Sequence, residues 1–166
     1  MTWFDSDGRE LTRAEMNQLF NPFYDIEFLY RHGLVFLDLP HLRAYENLTP
    51  EKLRDDLEWA STVYILTMDT VLRDKVACHL KPRHHDINWD GILATDFGSG
   101  HYAAVYWAFG LWSGRSWGWG GWEDNDGKKI PIVDTISRSF SMDSRLRFIA
   151  LVATAFCWGL KGNIPG

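Results

Sequence analysis

Thr49-Pro-Glu-Lys-Leu-Arg-Asp-Asp-Leu-Glu-Trp-Ala-Ser-Thr-Val-Tyr-Ile-Leu-Thr-Met-Asp-Thr-Val-Leu-Arg-Asp-Lys-Val76 is the stretch on which the fold turns. Thr49 has the chemistry of a helix N-cap, Pro50 is tolerated at a first helical position, and Glu51, Asp55 and Asp56 complement an N-terminal dipole. Leu53, Leu57, Ala60, Tyr64, Met68, Val71 and Val76 then follow at near-helical spacing. Trp59, Val63 and Leu66 add a second apolar face. The pattern predicts one helix over about 50–80, sandwiched inside the molecule and stopped before Pro82.

A second helix is predicted over about 142–158. Ser141, ahead of Asp143, reads as its cap. Met142, Leu146, Ile149, Ala153 and Phe156 line one face, and Phe148, Val152 and Ala155 another. Gly159 ends it. Two helices that are apolar on more than one side require a helical core around them.

The rest of the chain is read outward from these two. Ser99–Trp112 places Tyr102, Val105, Tyr106, Phe109 and Trp112 at helical spacing with Ser99 as cap, although its aromatic content would also suit a strand. Helix is the preferred reading. Downstream, Trp117-Gly-Trp119 alternates with period two, residues 123–127 make a turn, and Ile130-Pro-Ile-Val-Asp134 resumes. This predicts a β-hairpin or short sheet around 115–136, with Pro131 on an edge strand. Upstream, Thr12 and Glu15 have capping-box spacing ahead of Met16, Leu19 and Phe20. Asp25–His32 reads as a short helix closed by Gly33. Leu34–Leu39 reads as a buried strand or the lead into a helix carrying Pro40, Leu42 and Tyr45. The expected fold is α+β and predominantly helical, in a single compact domain spanning residues 1–166.

Composition sets the limits on function. The chain has 166 residues, 46% of them hydrophobic, and a formal net charge of −5. That length suits one domain with a sizeable core, and the balance of apolar and charged residues excludes intrinsic disorder. An acidic chain without a Lys/Arg-rich run is poorly suited to direct non-specific nucleic-acid binding, which needs cations against phosphate. Cys78 and Cys157, the only cysteines, sit in apolar or helical contexts and read as buried free thiols. The N-terminus has neither a basic nor an apolar leader region, and the run Phe148–Leu160 is shorter than the ~20 residues of a membrane span. No membrane association and a cytoplasmic location are expected.

The sequence offers five candidate chemistries. His79, His84, His85 and Asp86, with His101 downstream, carry the ligand types of a divalent metal. Their spacing fits no HExxH pattern, and Pro82 breaks any helix joining His79 to His84. A metal-dependent enzyme built on them is the first alternative reading. Asp5–Gly8 and Asp124–Gly127 each contain the D-x-D-G fragment of a calcium loop but lack its acidic twelfth position, so they read as turns. Ser99 and His101 stand two apart, which by itself says nothing of spatial reach. The acid pairs Asp90/Asp96 and Glu123/Asp124 have no spacing that fixes their separation. No cofactor is expected.

The fifth is the aromatic excess. Five of the nine tryptophans lie between Trp107 and Trp122. Trp3, Trp59, Trp89 and Trp158 read as core or near-core, and Trp107 joins them if its segment is helical. Trp112, Arg115, Trp117, Trp119 and Trp122 remain, set among glycines and followed by Glu123, Asp124 and Asp126. Trp and Arg are enriched where a few residues carry most of a binding energy. The competing reading folds these rings inward as a satellite core. The expectation is a non-enzymatic protein-binding domain with the general character of small intracellular inhibitors, such as toxin-immunity proteins or phage-encoded antagonists of host defence complexes. A carbohydrate- or nucleobase-stacking module using the same rings is the second alternative.

Overall fold

The computed structural model describes residues 8–15, 27–113 and 139–160, and the backbone of 122–123 and 129–130. In chain order the elements are β1 (Leu29–Arg31), β2 (Leu34–Phe36), α1 (Leu39–Leu48), α2 (Leu57–Leu66) and α3 (Thr70–Val76). There follow β3 (Leu80–Lys81), β4 (Asp86–Ile87), α4 (Trp89–Leu93), α5 (Ser99–Ser113), β5 (Trp122–Glu123), β6 (Lys129–Ile130) and α6 (Ser144–Cys157). Short 3-10 turns span Glu51–Leu53 and Ala77–His79. The described strands form three separate antiparallel pairs, β1 with β2, β3 with β4 and β5 with β6. The fold is predominantly helical α+β, as the periodicities predict.

The stretch 50–80 is helical in pieces rather than as one rod. Thr49 closes α1, its N–H bonded to Tyr45 O at 2.8 Å, and Pro50 opens only a 3-10 turn. The break comes from aspartates read above as dipole partners or overlooked. Asp56 is extended and accepts from Trp59 N, which starts α2. Asp69 does the same for Leu72 N and starts α3. A short carboxylate beside its own backbone competes with helix continuation and rewards a new N-terminus.

α2 is the centre of the molecule. Every residue from Trp59 to Leu66 is buried. α2 packs most extensively on α5 and α6, which also touch one another, so its sandwiched position follows from its two apolar faces. Several buried polar groups are bonded across the layers. Trp59 Nε1 donates to Leu48 O at 3.1 Å, Thr62 Oγ1 to Ala108 O at 3.3 Å, and Trp107 Nε1 to Thr154 Oγ1 at 2.8 Å. α6 is capped by Asp143 rather than Ser141, through Leu146 N. Gly159, with φ 67°, closes it in a Schellman arrangement: Leu160 N donates to Ala155 O and Gly159 N to Phe156 O.

Three other expectations change. Leu29–Arg31 is a strand, not the end of a helix. His32 and Gly33, with φ of 53° and 76°, make the two-residue turn that pairs Arg31 with Leu34, a left-handed geometry typical of tight hairpins. α5 already begins at Ser99, with Gly98 O accepting from Tyr102 N at 2.9 Å, so Gly98 rather than Ser99 holds the cap position. Cys78 is exposed and Cys157 half-buried, because Cys78 lies on a short 3-10 turn instead of within a long buried helix. The capping box stands: Thr12 N and Oγ1 both bond Glu15 Oε2 at 2.8 Å. A short antiparallel pair lies within 115–136 as β5–β6, with Trp122 opposite Ile130 and Glu123 opposite Lys129. Glu123, read as the start of the turn, is in the strand, and the Trp117–Trp119 arm lies outside the described residues.

Candidate functional site

Trp112 is the described root of the aromatic tract. It sits in the last turn of α5, half-buried, with its ring edge-on to Trp59 at 5.8 Å and to His85 at 5.5 Å. Trp59 is fully buried, whereas the His85 side chain is 48% exposed. Trp112 therefore spans from core to surface at the point where the tract leaves α5. Trp122 and Glu123 lie on β5. Arg115, Trp117, Trp119, Asp124 and Asp126 lie outside the described residues.

The other tryptophans divide. Trp59 is core, and Trp89 is half-buried against Phe109 at 5.0 Å. Trp158 is 57% exposed, which corrects its reading as a core residue. It stands at the C-cap of α6, where the helix ends and its face turns outward.

The metal-ligand candidates are dispersed, each with a local partner. The His79 ring meets Asn88 Nδ2 at 3.4 Å. His84 is exposed and bonded through its backbone to Lys81 O. His85 Nε2 pairs with Asp56 Oδ2 at 2.7 Å, and Asp86 with Lys81 Nζ at 3.1 Å. His101 Nε2 pairs with Asp69 Oδ2 at 2.7 Å, beyond the C-terminal end of α2, whereas Asp56 caps its N-terminal end. Among the described residues no three His, Cys, Asp or Glu side chains converge as a ligand set. No helix among the described residues is long and apolar enough to cross a membrane.

Two features escaped the sequence reading. One is a cavity of about 610 Å³ where three helices begin: Asp38, Asp69 and Asp143, the N-caps of α1, α3 and α6, all line it. Glu27, Arg73 and Arg145 add charge to its wall, and Leu37 and Met68 an apolar side. The caps are 31 and 74 residues apart in sequence, so no local pattern announces them as neighbours. Their carboxylates are already engaged, each accepting a backbone N–H of its own helix.

The other is His41, on α1 and completely buried. Its ring lies 4.9 Å from Phe36 and 4.8 Å from Tyr64. Nε2 donates to Tyr64 O at 2.9 Å. Burial lowers the imidazole to about 4, against the bond to Tyr64 O and the nearby Asp38, both of which favour its charged form. Tyr64, which donates from its hydroxyl to Val35 O, is raised well above the ordinary phenol range by burial. Comparison with protein-family models, with curated proteins and with solved structures returns no match to this chain.

Proposed function

We propose that this chain is a non-enzymatic protein-binding domain that engages its partner through the Trp/Gly tract and the acids after it. Trp112, Arg115, Trp117, Trp119 and Trp122 supply the contact area, and Glu123, Asp124 and Asp126 a polar rim suited to a basic partner surface. The supporting observation is the position of Trp112. Its ring is anchored on Trp59 and flanked by an exposed His85, so the tract starts from a rigid seat at the surface. A rigid aromatic root lowers the entropy cost of presenting the rings beyond it. The dispersal of the histidines over separate local pairs favours binding over metal-assisted chemistry.

A small acidic domain of this kind suits an inhibitor or immunity-type role, in which an aromatic patch and acidic rim cover a larger, basic assembly. The test begins with affinity capture from the native host using the intact chain. Trp117→Ala/Trp119→Ala is then compared with wild type against the protein so identified. The expected result is at least a hundredfold loss of affinity, in keeping with aromatic hot spots worth about 2 kcal/mol or more each. Unchanged affinity in the double variant contradicts the proposal. Glycan or single-stranded DNA binding that is lost in the same variant would transfer the rings to the stacking alternative.

A further inference from the structure

Helix α1 carries a histidine where a hydrophobic residue would serve packing as well. His41 stands in the first turn of α1, its own N–H accepted by the capping carboxylate of Asp38 at 2.7 Å. It is 0% exposed and wedged between Phe36 of β2 and Tyr64 of α2. Because Tyr64 O can only accept, the proton of the neutral ring sits on Nε2, and Nδ1 carries a lone pair. Among the described residues Nδ1 has no hydrogen-bond partner.

A second proton can therefore go only to Nδ1, where it would create a buried donor with nothing to receive it and a charge inside an aromatic wall. Both are costly away from water. The charged groups facing the ring come from two elements. Asp38, at the start of α1, and Asp69, at the start of α3, favour the charged form, and Arg73 of α3 opposes it. Tyr64 of α2 offers only its carbonyl to Nε2, and β2 offers only Phe36. Asp38, Asp69 and Arg73 also line the cavity, so solvent reaches the layer next to the ring while the ring itself stays dry.

We propose that His41 is an acid-operated latch, whose protonation at Nδ1 releases α1 and the β1–β2 hairpin from α2 while the packing of α2 on α5 and α6 persists. What is released is one layer: Phe36, His41 and Tyr45 meet Tyr64 within it, and Tyr64 hydroxyl ties it to β2 through Val35 O. The folded ring binds its proton at about pH 4, whereas a free imidazole does so near 6.5. The released state thus binds more protons throughout that interval. The latch is fully closed above pH 6.5 and loosens as pH falls towards 4.

The test is a histidine-ring NMR titration of the intact chain, together with amide hydrogen exchange corrected for its intrinsic pH dependence. The His41 ring is expected to titrate near pH 4. Protection of α1 and β2 amides should fall by about twentyfold between pH 7 and 5, while amides of α5 and α6 keep theirs. His41→Gln keeps a side-chain donor for Tyr64 O and removes the titrating site, so its α1 protection should be flat over that range. A His41 midpoint near 6.5 overturns the proposal, as does unchanged α1 protection in acid or an equal loss across all four elements. Should His41→Gln fail to fold, the titration and exchange of the wild-type chain still decide.

Discussion

Trp59 and Trp112 touch, yet their surroundings make them different kinds of residue. Trp59 is fully buried and bonded to Leu48 O, so Trp59→Ala is expected to cost about 3–5 kcal/mol. Trp112 is half-buried, and Trp112→Ala should cost roughly half of that. Urea unfolding of the two variants checks the order, and equal costs would mean that the root of the tract is core. Gly100 offers a sharper case. A Cβ there would lie 2.8 Å from Ser141 O, a backbone atom that cannot swing aside. Gly100→Ala should therefore destabilise the chain by about 1–3 kcal/mol despite alanine's better helix propensity, and a stabilised variant would show that the 139–142 segment yields freely. Charge effects at single residues also differ in size. Holding His41 neutral from 6.5 down to about 4 is worth about 3 kcal/mol. The His32–Glu46, His85–Asp56 and His101–Asp69 pairs are partly exposed, where such contacts contribute only ~0.2–1 kcal/mol each. Burial wins, and stability should decline as pH falls below 6.5. His41 was invisible in the sequence because a lone histidine beside Leu42 carries no periodic signal that tells buried from exposed.

At the scale of elements, the aspartate caps decide where helices begin. Asp38, Asp56, Asp69 and Asp143 each accept from a backbone N–H three residues on. Apolar spacing made the helical character of 57–66 and 70–76 legible, but it could not place the break between them, because Met68 continues the stripe across it. The cap at Asp69, extended at φ −135° and ψ 172°, overrides that continuity. Asp69 also holds His101 on α5, so it joins two elements. Asp69→Ala is expected to cost about 1–2 kcal/mol, whereas Asp69→Asn, which keeps a capping oxygen, should cost under ~1 kcal/mol. Equal losses in chemical denaturation would assign the whole effect to the ion pair. The first hairpin was missed for a related reason. A His-Gly step at positive φ serves a tight turn as well as a helix stop, and strands of three residues are too short for alternation to declare itself.

At the scale of the molecule, three-helix packing follows from faces that the sequence displays, while the cavity does not. It exists because α1, α3 and α6 bring their N-termini together, which is a property of tertiary packing alone. The candidate surface shows the opposite balance. Its composition is plain in the chain, five tryptophans and an acidic run within 107–126, but composition cannot say which way a ring faces. Of the residues assigned to it, Trp112 has a described side-chain environment, and that environment is a half-buried seat. Recognition rather than packing is the proposed role of the rings beyond this seat. It is tested most directly by the thermal midpoint of Trp117→Ala/Trp119→Ala. A chain of this size shifts by about 2–4 °C per kcal/mol, and truncating two buried tryptophans would cost several kcal/mol. The expected midpoint lies within about 2 °C of wild type. A fall of more than about 10 °C would place the rings in a core and contradict it.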